Sequence, residues 1–259
     1  MTKESDLKKM RNKGDIRGLG KVAQREKDQR LSSMAASMLT DMVLDGYNRQ
    51  TMFELFASLL ERPHLRACAI IGLGRLKDPR AVDLLVNAFI QSPDLAMQIA
   101  FALGESIRYA TSIQSETKTK AIDLLSLFLM EDDLSVSGSA AIALRNSNWK
   151  PDTDERAIRF YVRTKQYYAC SKYGLKAIDA LIKELFEINP ADNQSRYLDL
   201  QRTIIQILDE APATEPKESI ANVVNIEIIK AQGDAFKNIV HRKAIEKIQA
   251  ALSNFMVRQ

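Results

Sequence analysis

The chain has 259 residues, of which 46% are hydrophobic, and its 37 basic and 33 acidic side chains leave a net charge of +4. Ten glycines and seven prolines are few for a strand-and-turn protein of this length, so the composition favours an all-helical chain. No run approaches the roughly 20 apolar residues that a membrane-spanning helix needs, and no apolar segment follows the charged N-terminus. With only two widely separated cysteines, Cys68 and Cys170, the chain is predicted to be cytoplasmic and to bind no membrane.

The first predicted elements are short helices with clear start and stop signals. Asp15 is placed to cap a helix that begins at Ile16. The glycines around it do not form a phosphate loop, because Lys21 is followed by Val22 rather than by Ser or Thr. Residues 30–45 and 51–60 then have the apolar spacing of a helix pair.

The clearest pattern lies in residues 65–94, which read L-R-A-C-A-I-I-G-L-G-R-L-K-D-P-R-A-V-D-L-L-V-N-A-F-I-Q-S-P-D. Apolar residues recur at three- and four-residue steps on both sides of a turn signal at residues 77–79, which predicts two helices. The same order returns with Leu103-Gly104 in place of Leu73-Gly74. Repetition at this period predicts a solenoid of stacked helix pairs.

These residues resemble HEAT repeats, especially the short HEAT-like repeats of phycobilisome-lyase-related proteins. The resemblance implies an all-α, right-handed solenoid, or superhelix, of about six to seven antiparallel helix pairs. HEAT-like repeats are expected over residues 1–167, with clear matches in 30–165. Residues 168–259 are expected to form more divergent pairs and a C-terminal capping helix of the same solenoid. The helices predicted in this second part are 168–187, 195–210, 218–232 and 235–256.

Some arrays of HEAT-like repeats are enzymes, and the sequence can be compared with them. The HEAT-like deoxyhypusine hydroxylases hold two irons with His-Glu pairs, whereas His64 and His241 are followed by Leu65 and Arg242. No base can be named that would activate either cysteine as a nucleophile. The sequence therefore predicts no metal, no cofactor and no catalytic residues.

An alternative comes from the HEAT-like alkylpurine DNA glycosylases, which grip DNA with a basic concave surface and use Trp and Asp near the lesion. Trp149 is followed by Asp152 and Asp154, next to a segment, 145–176, that has eight basic and three acidic residues. The match is weak because there is a single tryptophan and Pro151 separates it from the carboxylates. Nucleic-acid binding of this glycosylase-like kind remains the second hypothesis.

The second helices of such arrays line the concave face, so aligned positions on them form columns. Arg156, Arg159 and Arg163 share one side of their helix because they are three and four residues apart. Alignment of the repeats places Glu54, Asp83, Asp123 and Arg159 in one column, acidic for three repeats and then basic, and Asn87 and Arg163 in a second column. The residues predicted to bind a partner are Glu54, Asp83, Asn87, Asp123, Arg156, Arg159 and Arg163.

The leading hypothesis for function is therefore a non-catalytic scaffold that binds another protein along this concave surface. Residues 235–256 are a candidate for self-association, because their apolar stripe could bind a second copy as well as cap the solenoid.

Overall fold

The computed structural model describes residues 2–46, 48–108, 115–189, 192–212 and 239–257, and within these ranges every regular element is a helix. The prediction of an all-helical chain is confirmed. The predicted helix 218–232 lies outside the described residues. None of the described helices is long and apolar enough to cross a membrane.

The α-helices are α1 (Glu4–Asn12), α2 (Ile16–Arg25), α3 (Gln29–Met42), α4 (Arg49–Leu59), α5 (Arg66–Leu76), α6 (Ala81–Gln91), α7 (Ala96–Arg108), α8 (Ser115–Leu129), α9 (Leu134–Asn146), α10 (Asp154–Arg163), α11 (Ile178–Glu187), α12 (Gln194–Glu210) and α13 (Ile239–Val257). The 3-10 segments are Val43–Asp45, Pro63–Leu65, Pro93–Leu95 and Tyr167–Ala177.

The chain divides into two compact units, Met1–Trp149 and Lys150–Gln259, here called unit 1 and unit 2. The division follows the end of α9 at Asn146, just after which Asn148 has a left-handed φ of 57°. The sequence pattern pairs α10 with α9 in a fifth repeat, but α10 packs against α11 and the 3-10 segment Tyr167–Ala177 of unit 2. The boundary at 167/168, drawn where the repeat pattern is lost, stays a prediction.

Unit 1 is a stack of helix pairs. The first helices of the pairs, α1, α3, α5, α7 and α9, pack on one another in that order. Among the second helices, α2 packs against α4 and α6 against α8, and α4, α6 and α8 each also contact the first helix of the next pair. The stacking that the repeats predict is therefore present in unit 1, and the handedness of the superhelix stays a prediction.

Small residues allow the first helices to approach closely. A Cβ placed on Gly74 would lie 2.7 Å from the Cα of Ala102, and one on Gly104 would lie 2.6 Å from the Cβ of Ala143. Both distances are shorter than atoms can approach, so α5, α7 and α9 pack at this separation only because these two positions lack a side chain.

Arginines tie neighbouring pairs of unit 1 together through the ends of helices. The last carbonyls of an α-helix have no partner inside the helix, and a basic side chain can supply one. Each bond joins a side chain to the C-terminal end of a helix in an adjacent pair. The donors and acceptors are Arg62 to Ala23 O, Arg75 to Thr40 O, Arg66 to Leu60 O and Arg49 to Leu76 O.

Two local predictions for unit 1 are confirmed. The Oδ1 atom of Asp15 accepts a hydrogen bond from the backbone N–H of Gly18 at 2.8 Å and caps α2. Lys77 ends α5 in the left-handed conformation, with φ of 53°, and places the turn before α6 where the sequence predicts it.

Unit 2 packs α10–α13 and the 3-10 segment around its own core, in which Cys170, Tyr197 and Phe255 are buried. The single helix predicted over 168–187 is instead a 3-10 segment followed by α11. Gly174 causes this break, because its φ of 57° and ψ of −138° lie outside the helical region. The apolar residues Ile245, Ile248, Leu252 and Phe255 of α13 are buried in the core of unit 2, so this helix covers the apolar side of α12.

Candidate interaction surface

The four acidic and polar residues of unit 1 that are predicted to bind a partner are all exposed. Glu54 lies on α4, Asp83 and Asn87 lie on α6, and Asp123 lies on α8. The helices are amphipathic, so their apolar stripes face the core and these positions face solvent. We call the exposed side of α4, α6 and α8 the second-helix face.

Side chains connect the second-helix face across its helices. Arg80, at the start of α6, donates to Gln50 Oε1 of α4 at 2.9 Å, and its guanidinium lies 4.3 Å from the centroid of the Phe53 ring. Between α6 and α8, the rings of Phe89 and Phe128 pack edge to face with centroids 4.7 Å apart. Side-chain contacts therefore join α4 to α6 at the surface and α6 to α8 through the buried ring of Phe128.

The charges on the second-helix face act on one another. Glu116 lies 2.9 Å from Nζ of Lys120 and raises the pKa of that lysine, and the neighbouring Asp83 contributes to the same shift. The Asp78 carboxylate raises the pKa of Arg80, and Glu54 adds to it. Asp83 and Glu54 are therefore within electrostatic reach of the next helix, as members of one column would be.

Exposed apolar side chains lie beside these carboxylates. Ile90 is 75% exposed and is seven residues after Asp83, on the same side of α6. Leu127 is 59% exposed and is four residues after Asp123 on α8. The second-helix face therefore combines negative charge with apolar contact area.

The three arginines predicted for the same binding surface lie in unit 2, on α10. Arg156 donates to Asp152 at 2.8 Å, and about a third of its side chain is exposed. Arg159 is partly exposed. Arg163 differs from both, because its side chain is only 12% exposed and binds Oε2 of Glu184 at 2.8 Å.

Glu184 is the centre of a buried polar cluster that the sequence did not reveal. Its Oε2 atom accepts from Arg163, and its Oε1 atom accepts from Arg196 and, at 3.4 Å, from the hydroxyl of Tyr167. Arg196 also donates to the Tyr167 hydroxyl. The sequence carries one signal of a buried charge here. Glu184 lies within the apolar stripe of α11, between Leu181 and Ile188.

A groove lies beside this cluster, between the segment that follows α10 and the helix α12. It has a volume of about 640 Å³, and its lining includes Lys165, Tyr168, Arg202 and Thr203. Tyr168 is 73% exposed, and the carboxylate of Asp199, also in the lining, lies 3.9 Å from Arg202. The groove combines cations with an accessible aromatic ring.

Metal ligation and nucleophilic catalysis both depend on side chains such as His, Cys, Asp and Glu. No three His, Cys, Asp or Glu side chains come together as a metal site within the described residues. Nε2 of His64 lies 3.2 Å from the Ser32 hydroxyl. Burial raises the pKa of both thiols, to about 12 for Cys170, which keeps them protonated and unreactive near neutral pH.

Comparison with known proteins supports the class of repeat. Residues 65–91 match the family model of the PBS lyase HEAT-like repeat, so the HEAT-like repeat recognised in the sequence is confirmed. The model covers one helix pair, α5 and α6. No curated protein matches the chain.

Two solved structures are similar to the chain, and both are engineered proteins from the Northeast Structural Genomics Consortium. One is 15% identical, with 93% of this chain and 97% of the other covered and a TM-score of 0.42. The second is also 15% identical, with 99% and 82% covered and a TM-score of 0.37. TM-scores this low do not establish a common fold or function.

Proposed function

We propose that this protein is a non-catalytic scaffold that binds another protein, and that the second-helix face of unit 1 receives a basic segment of that partner. The observation that carries the proposal is the exposed column of Glu54, Asp83 and Asp123 on three successive second helices. Complementary charge on a partner would steer its approach and fix its register. A HEAT-like repeat supports a binding role in general, since such arrays present long surfaces.

The spacing of the column suggests the spacing of the basic residues in the partner. Packed helices lie about 10 Å apart, so carboxylates on neighbouring second helices are separated by roughly that distance. A segment in the polyproline II conformation rises about 3.1 Å per residue with three residues per turn, so Lys or Arg at every third position would lie on one side of it, about 9 Å apart. Ile90 and Leu127 would bind apolar residues of the same segment.

A charge-reversal experiment tests this proposal. The variant Asp83→Lys/Asp123→Lys and the control Asp45→Lys/Glu61→Lys change the charge of unit 1 equally, and all four positions are exposed. A partner captured by the wild-type chain and identified by mass spectrometry should bind the control normally and the first variant about tenfold more weakly. Its affinity should also fall as salt is raised. Equal binding by both variants would show that the partner does not bind the second-helix face.

The groove of unit 2 supports the alternative, nucleic-acid binding. Lys165 and Arg202 could contact phosphates, while the exposed ring of Tyr168 could stack on a base of a single strand. This alternative predicts a gel shift with single-stranded DNA or RNA at low salt that is lost at high salt and weakened by Tyr168→Ala. The carboxylates of the glycosylase-like pattern are engaged within the chain, Asp152 with Arg156 and Asp154 with Lys176.

The cytoplasm is the compartment that we propose for the protein. Both cysteines are free, Cys170 is buried, and a reducing environment would keep them so. Self-association through residues 235–256 stays a prediction, and within α13 it would have to use the polar side, because the apolar side is buried in unit 2.

A further inference from the structure

The first helices of unit 1 carry an apolar strip on their exposed side. Phe101 is 51% exposed and Met97 40% exposed on α7, while Ile142 is 48% exposed and Leu134 44% exposed on α9. When the repeats are aligned on Leu73, Leu103 and Leu144, Phe101 and Ile142 occupy the same position of successive pairs. Since α7 and α9 pack side by side, these side chains form one surface.

A charged residue beside the apolar strip is paired within the chain. Glu105, four residues after Phe101 on α7, binds Lys77 at 3.7 Å. This side of unit 1 therefore differs from the acidic second-helix face, and an apolar partner surface suits it.

The two ends of the strip have opposite charge. Asp94 precedes α7, and Glu131, Asp132 and Asp133 precede α9, so the N-terminal ends of both helices are acidic. Arg108 lies at the C-terminal end of α7 and Arg145 at that of α9. Because first helices of successive repeats run in the same direction, all the acidic residues lie along one edge of the strip and the arginines along the other.

We infer that this face pairs with the same face of a second copy of the chain, with the two α7 helices antiparallel around a two-fold axis near Phe101. An antiparallel arrangement places the acidic edge of one copy against the basic edge of the other, whereas a parallel one would oppose like charges. Phe101 is seven residues after Asp94 and seven before Arg108, so pairing centred on Phe101 brings Asp94 opposite Arg108 of the partner subunit.

The mass in solution, measured by light scattering on the full chain, tests this inference. The wild-type protein should give twice 29.2 kDa at micromolar concentration. Phe101→Asp should raise the dimer dissociation constant by about thirtyfold or more, because a central aromatic anchor is replaced by a charge. The matched control Ile90→Asp changes a still more accessible apolar residue, on the second-helix face, and should leave the dimer intact.

A disulfide tests the symmetry. In a chain with Cys68→Ser, the variant Phe101→Cys should form a cross-linked dimer rapidly under mild oxidation, while Ile90→Cys should not. Circular dichroism should show that all variants keep their helix content, since positions 90 and 101 are exposed and Cys68→Ser exchanges side chains of similar size. A monomeric wild-type chain, an assembly larger than a dimer, or a dimer indifferent to Phe101→Asp would each overturn the inference.

Discussion

Glu184 shows how one charged residue can organise a unit. Its carboxylate is almost completely buried and receives hydrogen bonds from α10, the 3-10 segment and α12. Charge is costly in an apolar core unless it is paired, and here two arginines and a hydroxyl surround one carboxylate. The arginines of unit 1 that donate hydrogen bonds to the last carbonyls of helices also hold helices together, but at exposed or half-buried sites.

Removal of the Glu184 carboxylate should destabilise the protein severely. Glu184→Ala leaves Arg163 and Arg196 without their shared partner, and breaking a buried pair in this way costs about 3–5 kcal/mol. The free energy of unfolding measured in urea checks the value. Asp199→Ala is the control, since its ion pair with Arg202 is exposed and loosely formed at 3.9 Å and should contribute less than about 1 kcal/mol. A loss for Glu184→Ala no larger than for the control would contradict the structural role.

Stability should also decrease at alkaline pH because unit 2 buries protonated acids. Burial raises the pKa of Cys170 and of Tyr197 to about 12, above their ordinary values of 9.0 and 10.0. The unfolded chain loses these protons at lower pH than the folded chain, so their contribution is complete below about pH 9 and is lost as pH rises towards 12.

Urea unfolding between pH 7 and pH 11 measures this effect. The wild-type free energy should fall above pH 9, and Cys170→Ala should show a shallower fall because one of the raised pKa values is absent. The free energy of unfolding of the wild type could instead stay constant to pH 11, or fall with pH equally in Cys170→Ala. Either result would show that burial of the Cys170 thiol does not control stability at alkaline pH.

At the scale of elements, the spacing between first helices depends on residues without side chains. Gly74 and Gly104 occupy equivalent positions on α5 and α7, and each faces an alanine on the next first helix. The close contact brings backbones together and buries leucines between them. The same repeat therefore accounts for both the glycine pattern in the sequence and the stacking in unit 1.

Alanine at these positions should force the helices apart. Gly74→Ala and Gly104→Ala should each lower the free energy of unfolding by about 1–3 kcal/mol, as overpacking does. Gly138→Ala on α9 is the matched control, because a Cβ there meets no atom within 4 Å and alanine is the better helix former by about 1 kcal/mol. Thermal unfolding shows whether each variant is less or more stable than the wild type. Unchanged stability of Gly74→Ala and Gly104→Ala would mean that the helices move apart at these contacts with little cost.

At the scale of the whole molecule, unit 1 could be predicted in more detail than unit 2. The repeat at 65–94 can be compared with its copy at Leu103-Gly104, so helix pairs, turns and exposed columns follow from alignment. The predicted exposure of Glu54, Asp83, Asn87 and Asp123 agrees with the structure, while their binding role stays a proposal.

The features of unit 2 depend on contacts between distant residues, which spacing does not reveal. Arg163 has the spacing of an exposed residue beside Arg159, but α11 brings Glu184 against it from 21 positions away. Similarly, nothing in the apolar stripe over 168–187 predicts the conformation of Gly174 that divides it. Tertiary contacts and one backbone conformation override local pattern at these two places.

Partner protection of cysteines introduced one at a time tests the central claim, that the second-helix face of unit 1 is the binding surface. Asn87→Cys lies on that face, Ser135→Cys on the first-helix side, and Ser253→Cys on α13 of unit 2; all three positions are exposed. Alkylation rates at each site would be measured by mass spectrometry with and without a captured partner. We expect the partner to slow alkylation at position 87 alone. Protection at position 135 or 253, with position 87 unchanged, would contradict the account.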